Sequence, residues 1–175
     1  MPNGIYHVTL RGVRQTPLFC DERDWLRYLD FLGDCVERFG WRCHSYCLMP
    51  NHIHLLLQTP EPNLPQGMQR LNLRYAIRFN RRYGYKGHAF ERRYWSSLVK
   101  TDSYLVGLAR YIARNPVRAG LVEHPSEWRW SSYAALARIA DGPDFIDARE
   151  SRLLFGSTGQ LRDFVESPDP RQPRR

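Results

Sequence analysis

The 175-residue sequence has no apolar run approaching the roughly 20 residues that cross a bilayer. No charged-then-apolar leader opens it, so the expectation is a cytosolic protein without a membrane partner. Its four cysteines, Cys20, Cys35, Cys43 and Cys47, form no CxxC pair. That argues against a zinc ribbon or a thioredoxin-like centre and predicts reduced, mostly buried thiols. There is no internal repeat and no low-complexity tract, which removes solenoids from consideration. Acidic residues are almost missing from residues 68 to 100, where Glu91 stands against nine basic side chains. That segment alone accounts for the net charge of +8, and the rest of the chain balances. A local field of this sign suits a polyanion such as nucleic acid, because each neutralised phosphate releases counterions.

Hydrophobic patterning predicts the elements in order. Ile5 to Arg11 alternates with period two and reads as a strand. From residue 23 to 39 the apolar positions Trp25, Leu29, Leu32, Val36 and Phe39 form one helical face, with Asp21 as N-cap and Gly40 as the stop. Two strands follow, 41–49 and 52–58, joined through Pro50-Asn51. Asn63 and Gln66 then have capping-box spacing before a helix whose buried stripe is Leu64, Met68, Leu71, Tyr75 and Phe79. Arg70, Arg74, Arg78, Arg81 and Arg82 lie on another face of it. A fourth strand spans 94–100, and a third helix, capped by Asp102, runs to Asn115, where Pro116 is expected to end it. This order predicts an α+β fold: a ferredoxin-like or RRM-like antiparallel sheet with two helices on one face and the third helix free to cross the other. Residues 1–135 are read as the domain, 136–166 as a partly helical extension and 167–175 as a disordered tail.

The stretch "LMPNHIHLLLQ" at 48–58 carries two histidines two apart. On a strand His52 and His54 share one face, with Ile53, Leu55 and Leu57 on the other, and two imidazoles rooted about 7 Å apart can converge on one divalent ion. Structural histidines bonded to their neighbours are the plainer alternative. Tyr111 and Asn115 are four apart on the third helix and share a face. If that face covers the histidine side, the Asn115 amide oxygen becomes a third ligand and the Tyr111 hydroxyl sits beside the ion. A phenol with pKa of about 10 is a poor nucleophile at neutral pH, and a metal that polarises a phosphodiester lowers the barrier to its attack. A half-buried core tyrosine is the alternative for Tyr111 taken alone. His7 and Thr9, on one face of the first strand, are candidates for supporting groups.

Five blocks, "GIYHVTLRG" at 4–12, "CLMPNHIHLLL" at 47–57, "GHAFERRY" at 87–94, "RYIARNPVRAGLV" at 110–122 and "WRWSSY" at 128–133, resemble in order those of REP-associated tyrosine transposases. These belong to the single-tyrosine branch of the HUH nucleases. The resemblance implies that His52, His54 and Asn115 bind the metal, Mg²⁺ or Mn²⁺, and that Tyr111 is the nucleophile. It also implies a 5′-phosphotyrosine intermediate at single-stranded hairpins of repetitive extragenic palindromes, and a monomeric, cytoplasmic, nucleoid-associated protein. Val13 stands where an "RGN" asparagine is usual, and Glu91-Arg92 replace a neutral pair, which bears on the DNA sequence recognised. Arg70, Arg74, Arg78, Arg81, Arg82, Arg92, Arg93 and Lys100 are the expected phosphate contacts, with Tyr83, Tyr85, Phe90, Tyr94 and Trp95 as stacking faces. A DNA-hairpin-binding protein that does no chemistry is the rival reading. A histidine-triad hydrolase is disfavoured because Leu56 occupies the next same-face position.

Overall fold

A computed structural model describes residues 1–148 and 156–167. Residues 168–175 of the expected tail, and 149–155 of the expected extension, lie outside them. Four strands, β1 (Gly4–Arg11), β2 (Arg42–Met49), β3 (His52–Thr59) and β4 (Trp95–Leu98), form one antiparallel sheet in the order β2-β3-β1-β4. Helices α1 (Glu22–Phe39) and α2 (Leu64–Tyr83) cover one face. The alternation read in the sequence decides which side chains they meet. Val8, Leu10, Ile53, Leu55 and Leu57 join Tyr28, Leu32, Met68, Leu71 and Tyr75 in the main core. In β2 a bulge between Cys43 and Ser45 adds one residue, so Cys43 and Tyr46 both reach that core although an odd number of positions separates them.

Helix α3 (Asp102–Arg118) lies on the opposite face, where Leu105, Leu108 and Ile112 pack on Cys47, Met49 and Leu56. Its far side buries Ala113 against Tyr133 and Leu136 of the short α4 (Tyr133–Leu136) and against Leu161 and Val165 of α5 (Thr158–Glu166). The described part of the expected extension therefore shares a core with the helix that carries Tyr111. The Leu48 amide donates to the Trp130 carbonyl, and the Ser132 and Asp147 amides donate to the Tyr46 and Cys43 carbonyls, which occupies the outer edge of β2 that would otherwise invite pairing with another chain.

The α+β, ferredoxin-like plan holds, with three local differences. Helix α3 does not stop at Asn115. Proline in a last turn forfeits one hydrogen bond, and the amides of Ala119 and Leu121 meet the carbonyls of Asn115 and Pro116. The α3 cap is Thr101, whose hydroxyl accepts from the Tyr104 amide, and Asp102 is the first helical residue. Asn63 precedes α2 but makes no side-chain cap: its oxygen accepts from the Trp41 indole at 2.6 Å and its amide donates to the Phe39 carbonyl. Three thiols, Cys35, Cys43 and Cys47, are buried and unpaired, and Cys20 is exposed. No helix among the described residues is long and apolar enough to cross a membrane.

Candidate active site

The open half of the sheet is polar. Register sets Thr9 opposite His54 and Arg11 opposite His52, while Trp95 of β4 flanks Thr9 and Ser97 flanks His7. Because β3 alternates, the residues that seal the main core leave His52 and His54 on this second face. Helix α3 descends beside them, and the Tyr111 ring lies 5.5 Å from that of His54, edge-on at 86°. It is 6.4 Å from the His7 ring, and the residue is 38% exposed. The structure thus brings together the tyrosine and the histidine pair named from sequence.

Each imidazole is held through Nδ1. His54 Nδ1 meets His7 Nε2 at 3.0 Å, with Thr9 Oγ1 within 3.3 Å of His7 Nε2 and 3.4 Å of His54 Nδ1. His52 Nδ1 meets Asn51 Oδ1 at 2.8 Å. Burial drives the pKa of His7 down to about 4 and that of His54 to about 3, the latter helped by the neighbouring His52, His7 and Arg11 charges. His52 is lowered by burial and by Arg11. All three are neutral at pH 7, the form that offers a lone pair to a cation.

Asn115 is buried one turn beyond Tyr111, and its amide nitrogen donates to the Tyr111 carbonyl at 2.8 Å. Its oxygen, the ligand-competent end, has no hydrogen bond among the described residues. No group of three or more His, Cys, Asp or Glu side chains among the described residues could hold a metal. Among groups of another type, the Asn115 amide oxygen is the candidate third ligand, one turn from Tyr111 on the same helix. Two neutral imidazoles plus an amide oxygen suit a divalent ion that completes its shell with water or phosphate oxygens.

The basic residues divide. Arg82 ion-pairs with Asp21 and, at 2.7 Å, with the buried Asp24, and Arg74 reaches Asp34 at 2.7 Å while stacking on Phe31. Like Arg70, Arg78 and Arg81, both lie on α2, across the sheet from the histidines. Arg70, Arg81, Arg92, Arg93 and Lys100 are exposed, and Arg78 is half-buried. Arg92 and Arg93 border a groove of about 750 Å³ between α2 and residues 87–94, into which Leu73 and Ile77 protrude. Of the aromatic cluster, Phe90 is core, Tyr83 donates to Asp24, and Tyr94 packs on the main core. Tyr85 and Trp95 keep exposed faces, and Trp95 stands 5.8 Å from His7 at the rim of the site. Sequence reasoning missed Asn51, Arg11 and Arg118, whose guanidinium lies 5.3 Å over the Tyr111 ring. Only the spacing of Arg118, seven residues beyond Tyr111 and so two turns along one helix face, hinted at that contact.

A ferredoxin-like sheet with a histidine pair and a helix tyrosine on its open face has the fold of a DNA transposase. The chain belongs to the family described as "Transposase IS200 like", whose model matches residues 1–115. It is 29% identical over 128 residues to a curated Haemophilus influenzae protein named as a REP-associated tyrosine transposase, covering 59% of this chain and 69% of that one. Its fold is similar, with a TM-score of 0.66 and 18% identity, to a solved REP-associated tyrosine transposase bound to a REP hairpin, over 82% of this chain and 84% of the other.

Proposed function

We propose that this protein is a metal-dependent single-stranded DNA endonuclease and strand transferase that acts at hairpins of repetitive extragenic palindromes. The observation that carries the reading is the 5.5 Å approach of the Tyr111 and His54 rings from separate elements. The Tyr111 oxygen attacks the phosphorus of a phosphodiester, the phenol proton leaves, and the departing 3′ oxygen takes one up. One phosphoester bond replaces another, so the resulting 5′-phosphotyrosine link keeps the energy needed to reseal the strand or pass it to a second end. His52 and His54, each through Nε2, and Asn115 through its amide oxygen would hold Mg²⁺ or Mn²⁺, which when bound would polarise the scissile phosphate and offset its charge. Helix α3, gripped on both sides, aims the phenol. Arg118 adds positive charge where the phosphate must sit.

The exposed Arg70, Arg81, Arg92, Arg93 and Lys100, with Arg78, track the hairpin phosphates, and Trp95 and Tyr85 stack unpaired bases. Arg74 and Arg82 contribute to the field and not through contact, since α1 carboxylates hold them. Action as a monomer, in the cytoplasm and at the nucleoid, belongs to the same reading. A labelled single-stranded hairpin incubated with protein and Mn²⁺ is expected to yield a covalent adduct with the fragment bearing the 5′ phosphate. Tyr111→Phe abolishes the adduct while hairpin affinity stays within about threefold. An adduct that persists in Tyr111→Phe assigns the chemistry to another residue; hairpin binding with no wild-type adduct leaves a binding scaffold.

A further inference from the structure

Between them His7 and Asn51 touch both imidazoles of the pair at Nδ1. A neutral imidazole has one N–H, and the nitrogen that carries it cannot bind a cation. If His54 is to offer Nε2, its proton must sit on Nδ1, where it needs an acceptor. His7 Nε2 lies there at 3.0 Å, and Thr9 Oγ1 lies close enough to receive from His54 or to donate to His7. Asn51 Oδ1, which can only accept, stands at 2.8 Å from His52 Nδ1.

We propose that His7, seconded by Thr9, and Asn51 are positioning residues that fix His54 and His52 as Nδ1–H tautomers, leaving both Nε2 lone pairs pre-aimed at one divalent cation. The inference rests on the metal-dependent reading above and goes past it by assigning work to three residues outside the ligand set. It also takes His7 out of the ligand set, because its Nε2 is spent on His54. Proton placement is set before any ion arrives, so neither rotation of the rings nor a proton shift delays binding.

The test needs no catalysis. Long-range ¹H–¹⁵N imidazole spectra of the ligand-free protein at pH 7 should show His52 and His54 protonated on Nδ1. In His7→Leu/Thr9→Val the His54 pattern should move toward the Nε2–H form, and Mn²⁺ affinity, followed by the EPR signal of free Mn²⁺, should fall 10- to 100-fold. His7→Gln, which keeps an acceptor, should recover most of that loss. Asn51→Ala should act on His52 in the same way, with Asn51→Asp retaining affinity. Circular dichroism verifies that each variant is folded, and the Gln and Asp variants carry the test if the leucine variant is not. An Nε2–H tautomer of His54 in the wild type, or Mn²⁺ affinity unmoved by the double substitution, overturns the proposal. Wild-type protein with both Nδ1–H tautomers but no Mn²⁺ binding would instead sink the metal reading and spare the tautomer assignment.

Discussion

Burial decides the protonation of the histidines before any substrate does. His7 and His54 titrate near 4 and 3 in the folded chain and near 6.5 when unfolded. Between these values the unfolded chain holds protons that the folded one refuses. Stability therefore falls as pH drops below 6.5, and above that value the contribution is constant. Each unit of pH in this window costs about 1.4 kcal/mol per fully shifted group. In EDTA, the thermal midpoint should hold from pH 8 to 7 and decline between pH 6.5 and 5, with a shallower decline in His7→Gln. A midpoint unchanged down to pH 5 would contradict the burial argument. At this scale the sequence was partly legible. A two-residue spacing places His52 and His54 together whatever the rest of the chain does, and helical spacing does the same for Tyr111 and Asn115. The clamp from His7 to His54 was not legible, because it joins residues 47 apart and exists only once β1 and β3 pair in a particular register.

Elements meet with little tolerance at the start of α2. Gly67 faces Trp41 so closely that a Cβ would lie 2.1 Å from the indole, and that indole is tied to Asn63. In an exposed helix Gly→Ala gains up to about 1 kcal/mol. Here Gly67→Ala should destabilise the protein by about 1–3 kcal/mol, the usual range for overpacking, measured by urea unfolding. A gain in stability would show that Trp41 can move aside. Helix boundaries were readable where one residue controls them, as at Asp21 and Gly40. They were misread where a side chain had a better partner: Asn63 gives up its capping role for Trp41, and no local pattern announces that choice.

For the whole molecule, charge is distributed differently from its order along the chain. The run from 68 to 100 carries +8, yet folding sets Arg74 and Arg82 against the carboxylates of α1. A helical wheel cannot show this, since Asp21, Asp24 and Asp34 come from another element. The two classes of arginine should separate by experiment. Arg82→Gln leaves the buried Asp24 short of a partner and should cost about 1–3 kcal/mol of stability with little change in the salt dependence of hairpin binding. Arg92→Gln/Arg93→Gln should leave stability nearly unchanged and reduce the slope of log K against log salt by about 2. An unaltered slope in the second variant would return those two arginines to solvent.

The strict alternation of β3 has one more consequence. A slip of one residue against β1 would carry Ile53, Leu55 and Leu57 to the polar side and push both imidazoles into the oily layer under α1 and α2. A misaligned chain cannot set the histidine pair beside Tyr111, so under the proposed function the fraction of molecules that captures DNA covalently has a ceiling, the fraction folded in the correct alignment.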